Sequence, residues 1–250
     1  PFGPKVSAIV EGVTSSWDGD TLPSDTSFRA IDIPYEANPV PIFGTSGRNP
    51  WEDISDVGNY MPGAWDGSVR LISQMEDTVG TCRNTNTKIV LVGYSQGAWA
   101  IHAALEYLGQ ADPSLLDRVA AVALLADPLR SRRVNLDNVG SAEPHDGVAV
   151  SFLGSPGLGY LDWVQQLALV DFPTVENVHM NDEDYPTSMR SKTLELCAMG
   201  DAVCDTSYIT DFPQNLSIFQ LFPQGVDIHG GYSEGQCKWF GSRIRELISP

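Results

Sequence analysis

The feature that most constrains this chain is Gly93-Tyr94-Ser95-Gln96-Gly97, which directly follows an apolar run at residues 88–92 and directly precedes a helical pattern. A serine between two such glycines, at the point where a strand turns sharply into a helix, is held in a strained backbone conformation. The small residues two positions to either side keep the turn from colliding with its neighbours. The hydroxyl is then presented above a sheet edge at a helix N-terminus, where developing negative charge is favoured. The motif therefore predicts a strand, a nucleophile and a helix in that order, within a sheet whose neighbouring strands are also followed by helices.

The rest of the chain repeats that alternation. Short runs rich in Val, Ile and Leu at 6–10, 28–33, 88–92, 119–125 and 148–153 are the expected strands of a parallel sheet covered on both faces. A helix capped by Asp66 carries Val69, Ile72, Met75 and Val79 at three- and four-residue steps. A second follows Gly97 and buries Ile101, Leu105 and Leu108, and a third covers about 234–248 with Cys237, Phe240, Ile244 and Leu247 on one face. This order predicts a right-handed α/β/α three-layer fold with a central, mostly parallel sheet. Residues 34–65 hold Pro34, Pro39, Pro41, Pro50 and Pro62 and read as loops over the carboxyl edge of the sheet. Residues 154–190 break the alternation again with a Gly/Pro start, an apolar helical pattern and an acidic run at 181–184. With no internal repeat and no long linker, residues 1–250 are read as one domain with an insertion or lid-like segment at about 154–190.

Composition narrows the partners. Lys and Arg number 15 against 32 Asp and Glu, and the resulting formal charge of −17 repels phosphate backbones and anionic headgroups, so nucleic acid is not an expected partner. No apolar run approaches the roughly 18 residues of a membrane-spanning helix. The opening Pro1-Phe2-Gly3-Pro4 has no basic and apolar leader pattern. The expectation is a soluble, exported monomer whose signal has been removed. The four cysteines show neither C-x-x-C nor zinc-finger spacing, so disulfides in an oxidising compartment are favoured over a metal site, although four free thiols would give the same count. Trp17-Asp18-Gly19-Asp20 does not match a calcium loop, and Asn215-Leu216-Ser217 is a glycosylation sequon.

A serine hydroxyl requires a base, normally histidine, which a carboxylate orients. In α/β-hydrolases the chain order is serine, acid, histidine. His102 lies two turns along the helix that Ser95 opens and reads as a helix-surface side chain; His145 sits in a polar turn, and His179 lies beside acidic residues of the insertion. His229, in a Gly-rich loop just before the last helix, is the expected base. For the acid, Asp201 stands within Cys197-Ala198-Met199-Gly200-Asp201-Ala202-Val203-Cys204, where a disulfide between the flanking cysteines would hold the carboxylate rigidly. Asp127, at the end of a strand, is the rival, while Asp205 and Asp227 read as surface charges.

The Gly93–Gly97 elbow with Cys82 upstream, the block at 197–204 and the later His229 together resemble the cutinase family of secreted serine esterases, over about residues 5–248. The resemblance implies a Ser95, Asp201 and His229 triad, a Cys197–Cys204 disulfide, and an oxyanion hole built from the Gln96 amide and a donor after the first strand. Val13 is the aligned donor, with Thr14 next to it. Compact fungal cutinases pair the cysteine before the elbow strand with one near the N-terminus. This sequence has none there, which leaves Cys237 as the partner for Cys82. The spacing from Asp201 to His229 and the insertion at 154–190 are closer to larger actinobacterial members acting on long-chain lipids and cell-envelope esters. Residues 22–26 and 57–60 also resemble phage lysin B esterases.

What the resemblance implies is hydrolysis of carboxylic esters of lipids or polyesters through an acyl-enzyme, with no metal or organic cofactor and a secreted or envelope-associated location. The alternatives are a lysin B-type esterase acting on mycolyl-arabinogalactan, a cell-envelope acyltransferase using the same serine, and a non-catalytic wall-binding module. The apolar stretch 158–172 is either a lid or an ordinary amphipathic helix packed on the sheet.

Overall fold

The computed structural model describes residues 2–15, 22–23, 26–37, 50–82, 85–134, 136–153, 185–207 and 223–249. The expected lid within 154–184, His179, the Asp18 turn and the Asn215 sequon lie outside the described residues.

The described elements run α1 (Pro4–Thr14), α2 (Pro50–Thr81), β1 (Ile89–Tyr94), α3 (Gln96–Ala111), α4 (Pro113–Leu116), β2 (Val119–Leu125), β3 (Asp137–Asn138), α5 (Val148–Leu153), α6 (Thr187–Arg190), β4 (Thr193–Leu196), α7 (Pro223–Gly230) and α8 (Glu234–Ile248). Among them, the strands form a parallel sheet in the order β1-β2-β4-β3. Residues 89–94 of β1 pair with 119–125 of β2, and 122–125 of β2 pair with 193–196 of β4.

Strand β2 shows how the layers form. Successive side chains leave opposite faces of a strand. Val122 and Leu124 therefore enter the cluster with Leu71, Met75, Ile101 and Leu105 of α2 and α3, while Ala121, Ala123 and Leu125 enter the cluster with Ile9, Phe240 and Ile244 of α1 and α8. Both faces are covered, which is why β2 reads as an unbroken apolar run. On the second face α1 and α8 cross at glycines. A Cβ at Gly12 would lie 2.1 Å from the Lys238 carbonyl oxygen, and one at Gly241 would lie 2.1 Å from that of Ile9. Helix α8 starts with a capping box in which Ser233 and Gln236 satisfy each other's amides.

Four expected elements differ. Residues 6–10 belong to helix α1, which buries Ala8, Ile9, Gly12 and Val13 along one side and opens on Pro4 at its first turn. A short apolar run has no period of its own that separates strand from helix, and proline in the first turn favours the helix. Residues 28–33 form no regular element, and 148–153 form helix α5 rather than a strand. Helix α2 begins at Pro50 and continues through Pro62 rather than starting at Asp66, so the proline-rich stretch is helical in its second half. From residue 64 onward it buries Ala64, Leu71 and Met75, and such packing sustains a helix.

The expected Cys82–Cys237 bond is absent, and both are free thiols. Cys82 follows the end of α2, on the α2/α3 side of the sheet, whereas Cys237 is in the α1/α8 core. The sheet stands between the two layers and keeps the two thiols apart. The Cys197–Cys204 bond is formed.

Candidate active site

Ser95 closes β1 and opens α3 with φ 55° and ψ −119°, a conformation that L-residues rarely adopt. Its N–H donates to the Leu125 carbonyl at 2.9 Å, and its own carbonyl accepts from Trp99 at 3.0 Å, so sheet and helix both fix the turn. Gly93 is required sterically, since a Cβ there would lie 2.5 Å from the Gly97 carbonyl oxygen. Gln96 is the first residue of α3, where amides point out of the helix start toward the Ser95 side.

The other expected residues converge on this serine. His229, from α7, places Nε2 3.0 Å from Ser95 Oγ, and its Nδ1 lies 3.0 and 3.2 Å from the two carboxylate oxygens of Asp201. Asp201 is fully buried, whereas Ser95 is 8% and His229 9% exposed. The carboxylate is oriented from three directions: Oδ1 also accepts the Val203 N–H at 2.8 Å, and Oδ2 accepts the Tyr232 hydroxyl at 2.7 Å. The disulfide closes the segment that carries it. The nearby Asp205, expected on the surface, is fully buried and accepts the Gly200 and Ser207 N–H groups at 2.7 and 3.0 Å.

Two tyrosines at the site were not singled out by the sequence. Tyr94 donates its hydroxyl to the His229 carbonyl at 2.8 Å and stacks its ring on the imidazole at 5.1 Å. Burial first, then the Asp201 charge, push its hydroxyl pKa well above the usual range. Tyr232 is shifted the same way by the same leading causes. Lys5, near the start of α1, donates to the carbonyls of Gly230 and Tyr232 at 2.8 and 2.9 Å and lies 5.5 Å from the centre of the Tyr94 ring. The signal available was position: Tyr94 precedes Ser95 by one residue, and Tyr232 follows His229 by three.

Val13 is not placed as the second oxyanion donor. It is buried in α1, its N–H falls within the helical hydrogen-bond ladder, and its carbonyl accepts from Arg245 at 2.6 Å. Thr14 is exposed and turns its hydroxyl back to the Glu11 carbonyl. The α1 residue beside the His229 segment is Lys5, about 12 Å along the helix from Val13 at 1.5 Å per residue.

His102, expected on a helix surface, is instead buried, with 2% exposure. Its Nδ1 meets Asp127 Oδ2 at 2.6 Å, its Nε2 meets Glu106 Oε1 at 3.3 Å, and the Tyr185 ring packs edge-on at 4.8 Å. Burial pulls its pKa down, but the charge and hydrogen bond of Asp127, followed by those of Glu106, outweigh it and raise the value to about 10. Asp127, the rival acid, is thus committed to His102 and to the Leu129 amide. Beyond it, Arg130 donates to Glu195 Oε2 at 3.1 Å and to the carbonyls of Glu143, His145 and Cys204 at 3.0, 3.2 and 3.4 Å. Burial and the Asp127 charge raise the Glu195 carboxyl to about 7 despite Arg130. His145 contributes its carbonyl to this network. Among the described residues, no group of His, Cys, Asp and Glu is placed to hold a metal ion, and no helix is long and apolar enough to cross a membrane.

A parallel sheet between helical layers, with a serine on its strand-to-helix elbow and a histidine and aspartate arriving from later segments, defines an α/β-hydrolase fold. A family model described as Cutinase matches residues 52–214, more than half of the chain. The chain belongs to the cutinase family. It is 32% identical over 80 residues to cutinase cut1 of Trichoderma harzianum, a stretch covering 32% of this chain and 30% of that protein. Over 70 residues it is 40% identical to the carboxylesterase Culp1 of Mycobacterium tuberculosis, covering 28% of this chain and 30% of that one. The match therefore spans less than a third of the length of either relative. A solved structure of acetyl xylan esterase superposes with a TM-score of 0.51 at 20% identity, covering 97% of this chain and 87% of that one, a likeness of fold.

Proposed function

We propose that this protein is a serine esterase that hydrolyses carboxylic esters through an acyl-enzyme. The observation that carries this reading is the continuous line from Asp201 to His229 Nδ1 at 3.0 Å and from His229 Nε2 to Ser95 Oγ at 3.0 Å. In the first half-reaction His229 takes the hydroxyl proton as Ser95 Oγ attacks the ester carbonyl carbon, and the carbonyl oxygen becomes an oxyanion. The Gln96 amide at the start of α3 is the donor this chain offers to that charge, worth roughly 3 kcal/mol of transition-state stabilisation. Collapse breaks the ester C–O bond, His229 passes its proton to the departing alcohol, and the acyl group stays on Ser95. In the second half-reaction water attacks, His229 accepts its proton, and the carboxylic acid leaves as Ser95 is reprotonated.

Lipid or polyester esters are the substrate class we assign, with envelope mycolate esters as its narrower form. We read residues 1–250 as a single domain acting as a monomer outside the cell. The buried Cys197–Cys204 disulfide beside the acid supports an oxidising location, and the strongly negative charge supports a substrate contacted through apolar rather than anionic groups.

The test is turnover of a p-nitrophenyl ester series by the wild type and by Ser95→Ala, together with fluorophosphonate labelling. Labelling at Ser95 and loss of turnover in the variant are expected. Undiminished hydrolysis by Ser95→Ala would overturn the mechanism. Comparing triglyceride, polyester and mycolyl-arabinogalactan then ranks the natural substrates.

A further inference from the structure

We propose that Tyr232 is a positioning residue for the Asp201–His229 pair, one phenol that locks the acid loop to the segment carrying the base. This deepens the esterase reading above and rests on it. Tyr232 lies three residues beyond His229 and reaches back across the site. Its hydroxyl donates to Asp201 Oδ2 at 2.7 Å and accepts the Ala198 N–H, from the start of the cystine loop, at 2.9 Å. The same oxygen lies 3.8 Å from Cys204 Sγ at the other end of that loop. A single oxygen thus touches the carboxylate and both ends of the segment that carries it, while the Tyr232 backbone carbonyl is held by Lys5.

The geometry also sets an electrostatic role. Asp201 has two acceptor oxygens, and Oδ2 takes the Tyr232 proton at a shorter distance than either contact with His229. A donor on Oδ2 spreads the carboxylate charge, so Asp201 pulls less strongly on the Nδ1 proton and stabilises the imidazolium less. The charged and titratable groups around the pair are Lys5 from α1, Tyr94 from β1, Cys237 from α8 and Asp205 in the acid loop. Of the groups described around Oδ2, the Tyr232 hydroxyl at 2.7 Å is the nearer side-chain donor, ahead of His229 Nδ1 at 3.2 Å. The phenol itself stays protonated, because burial and the adjacent Asp201 charge oppose its ionisation.

The experiment is Tyr232→Phe, which keeps the ring edge-on to Tyr94 at 6.5 Å and deletes only the hydroxyl. The pH profile of kcat/KM for a p-nitrophenyl ester, kcat and KM separately, and the melting temperature are read, with Ser95→Ala alongside. The expected result is a roughly tenfold fall in kcat with KM within about twofold, as for loss of one hydrogen bond to a charged group. Without the donor, the Asp201 charge bears more fully on the Nδ1 proton, and the acidic limb of the profile moves to higher pH. A variant that only melts earlier, with kcat and the acidic limb unchanged, overturns the proposal. If Tyr232→Phe does not fold, 3-fluorotyrosine placed at 232 decides: as a stronger donor it moves the acidic limb to lower pH, and an unmoved limb overturns the proposal. Activity surviving in Ser95→Ala would remove the esterase reading and this one with it. An inactive Ser95→Ala with an unaltered Tyr232→Phe removes this one alone.

Discussion

Among the described residues, two histidines lie in the interior with an aspartate on Nδ1, and what separates them is the atom facing Nε2. His229 has Asp201 at 3.0 Å on one side and the Ser95 hydroxyl at 3.0 Å on the other. His102 has Asp127 at 2.6 Å on one side and a second carboxylate, Glu106, at 3.3 Å on the other. An imidazole between a carboxylate and a hydroxyl can stay neutral and take the hydroxyl proton. An imidazole between two carboxylates needs a proton on each nitrogen, and His102 is accordingly raised to about 10 by Asp127 and Glu106 against the opposing pull of burial. A buried His–Asp pair is thus not a catalytic signature by itself. Charged at neutral pH, His102 ties the helix that Ser95 opens to the segment following β2, as a strut rather than a partner of Ser95.

The comparison breaks most sharply at the nucleophile and the base. Ser95→Ala and His229→Gln should each lower kcat/KM by about 10⁴-fold or more, with little change in the urea midpoint; a pair of active variants would erase the distinction. Asp201→Asn should cost about 10⁴-fold in kcat, because the amide holds the wrong histidine tautomer, whereas Asp127→Asn should register mainly in stability. At the strut the order inverts. His102→Gln leaves Asp127 and Glu106 buried without their cation and should cost about 3 kcal/mol in urea unfolding, while the folded variant keeps kcat within several-fold. A fall in kcat as large as that of His229→Gln would place His102 in the machinery.

The pH dependence sharpens the same contrast. His102 has its folded pKa raised from 6.5 to about 10, so its stabilisation is complete below about pH 6.5 and is lost as pH rises through about 10. The stability gap between wild type and His102→Gln should therefore narrow between about pH 7 and 10 in paired urea titrations. Glu195 gives the smallest effect. Its carboxyl is raised from 4.5 to about 7, so its contribution is present below about pH 4.5 and lost as pH climbs through 7. Glu195→Gln should flatten the stability curve across that window, as read in urea titrations.

The legibility of the site follows the same division. Ser95 was readable because one local turn demands glycines on both sides, and His229 and Asp201 because chain order and a cystine loop single them out. His102 was misread because a helix two turns past an elbow was taken to have a wet side, whereas α3 is buried nearly all round, from Ala98 through Leu108. The proposed Cys82–Cys237 pair came from elimination alone, which carries no information about the sheet that separates the two layers. Val13 was misplaced with its element: once residues 6–10 are helical, the amide it was to lend is spent in the helix.

By itself the sequence determined the elbow, the alternation of strand and helix around it, the disulfide at the acid and the three residues now in line, because each of these is written in local spacing or chain order. Tertiary structure decided which histidine faces Ser95 and which sits between two carboxylates, that Asp205 is buried, that Tyr94 and Tyr232 bond to the His229 carbonyl and the Asp201 carboxylate, and that residues 6–10 coil. Those outcomes depend on which side chain meets which across elements distant in sequence. Charge, donor count and burial at a point in space are set by those meetings and leave no mark on the spacing of residues along the chain.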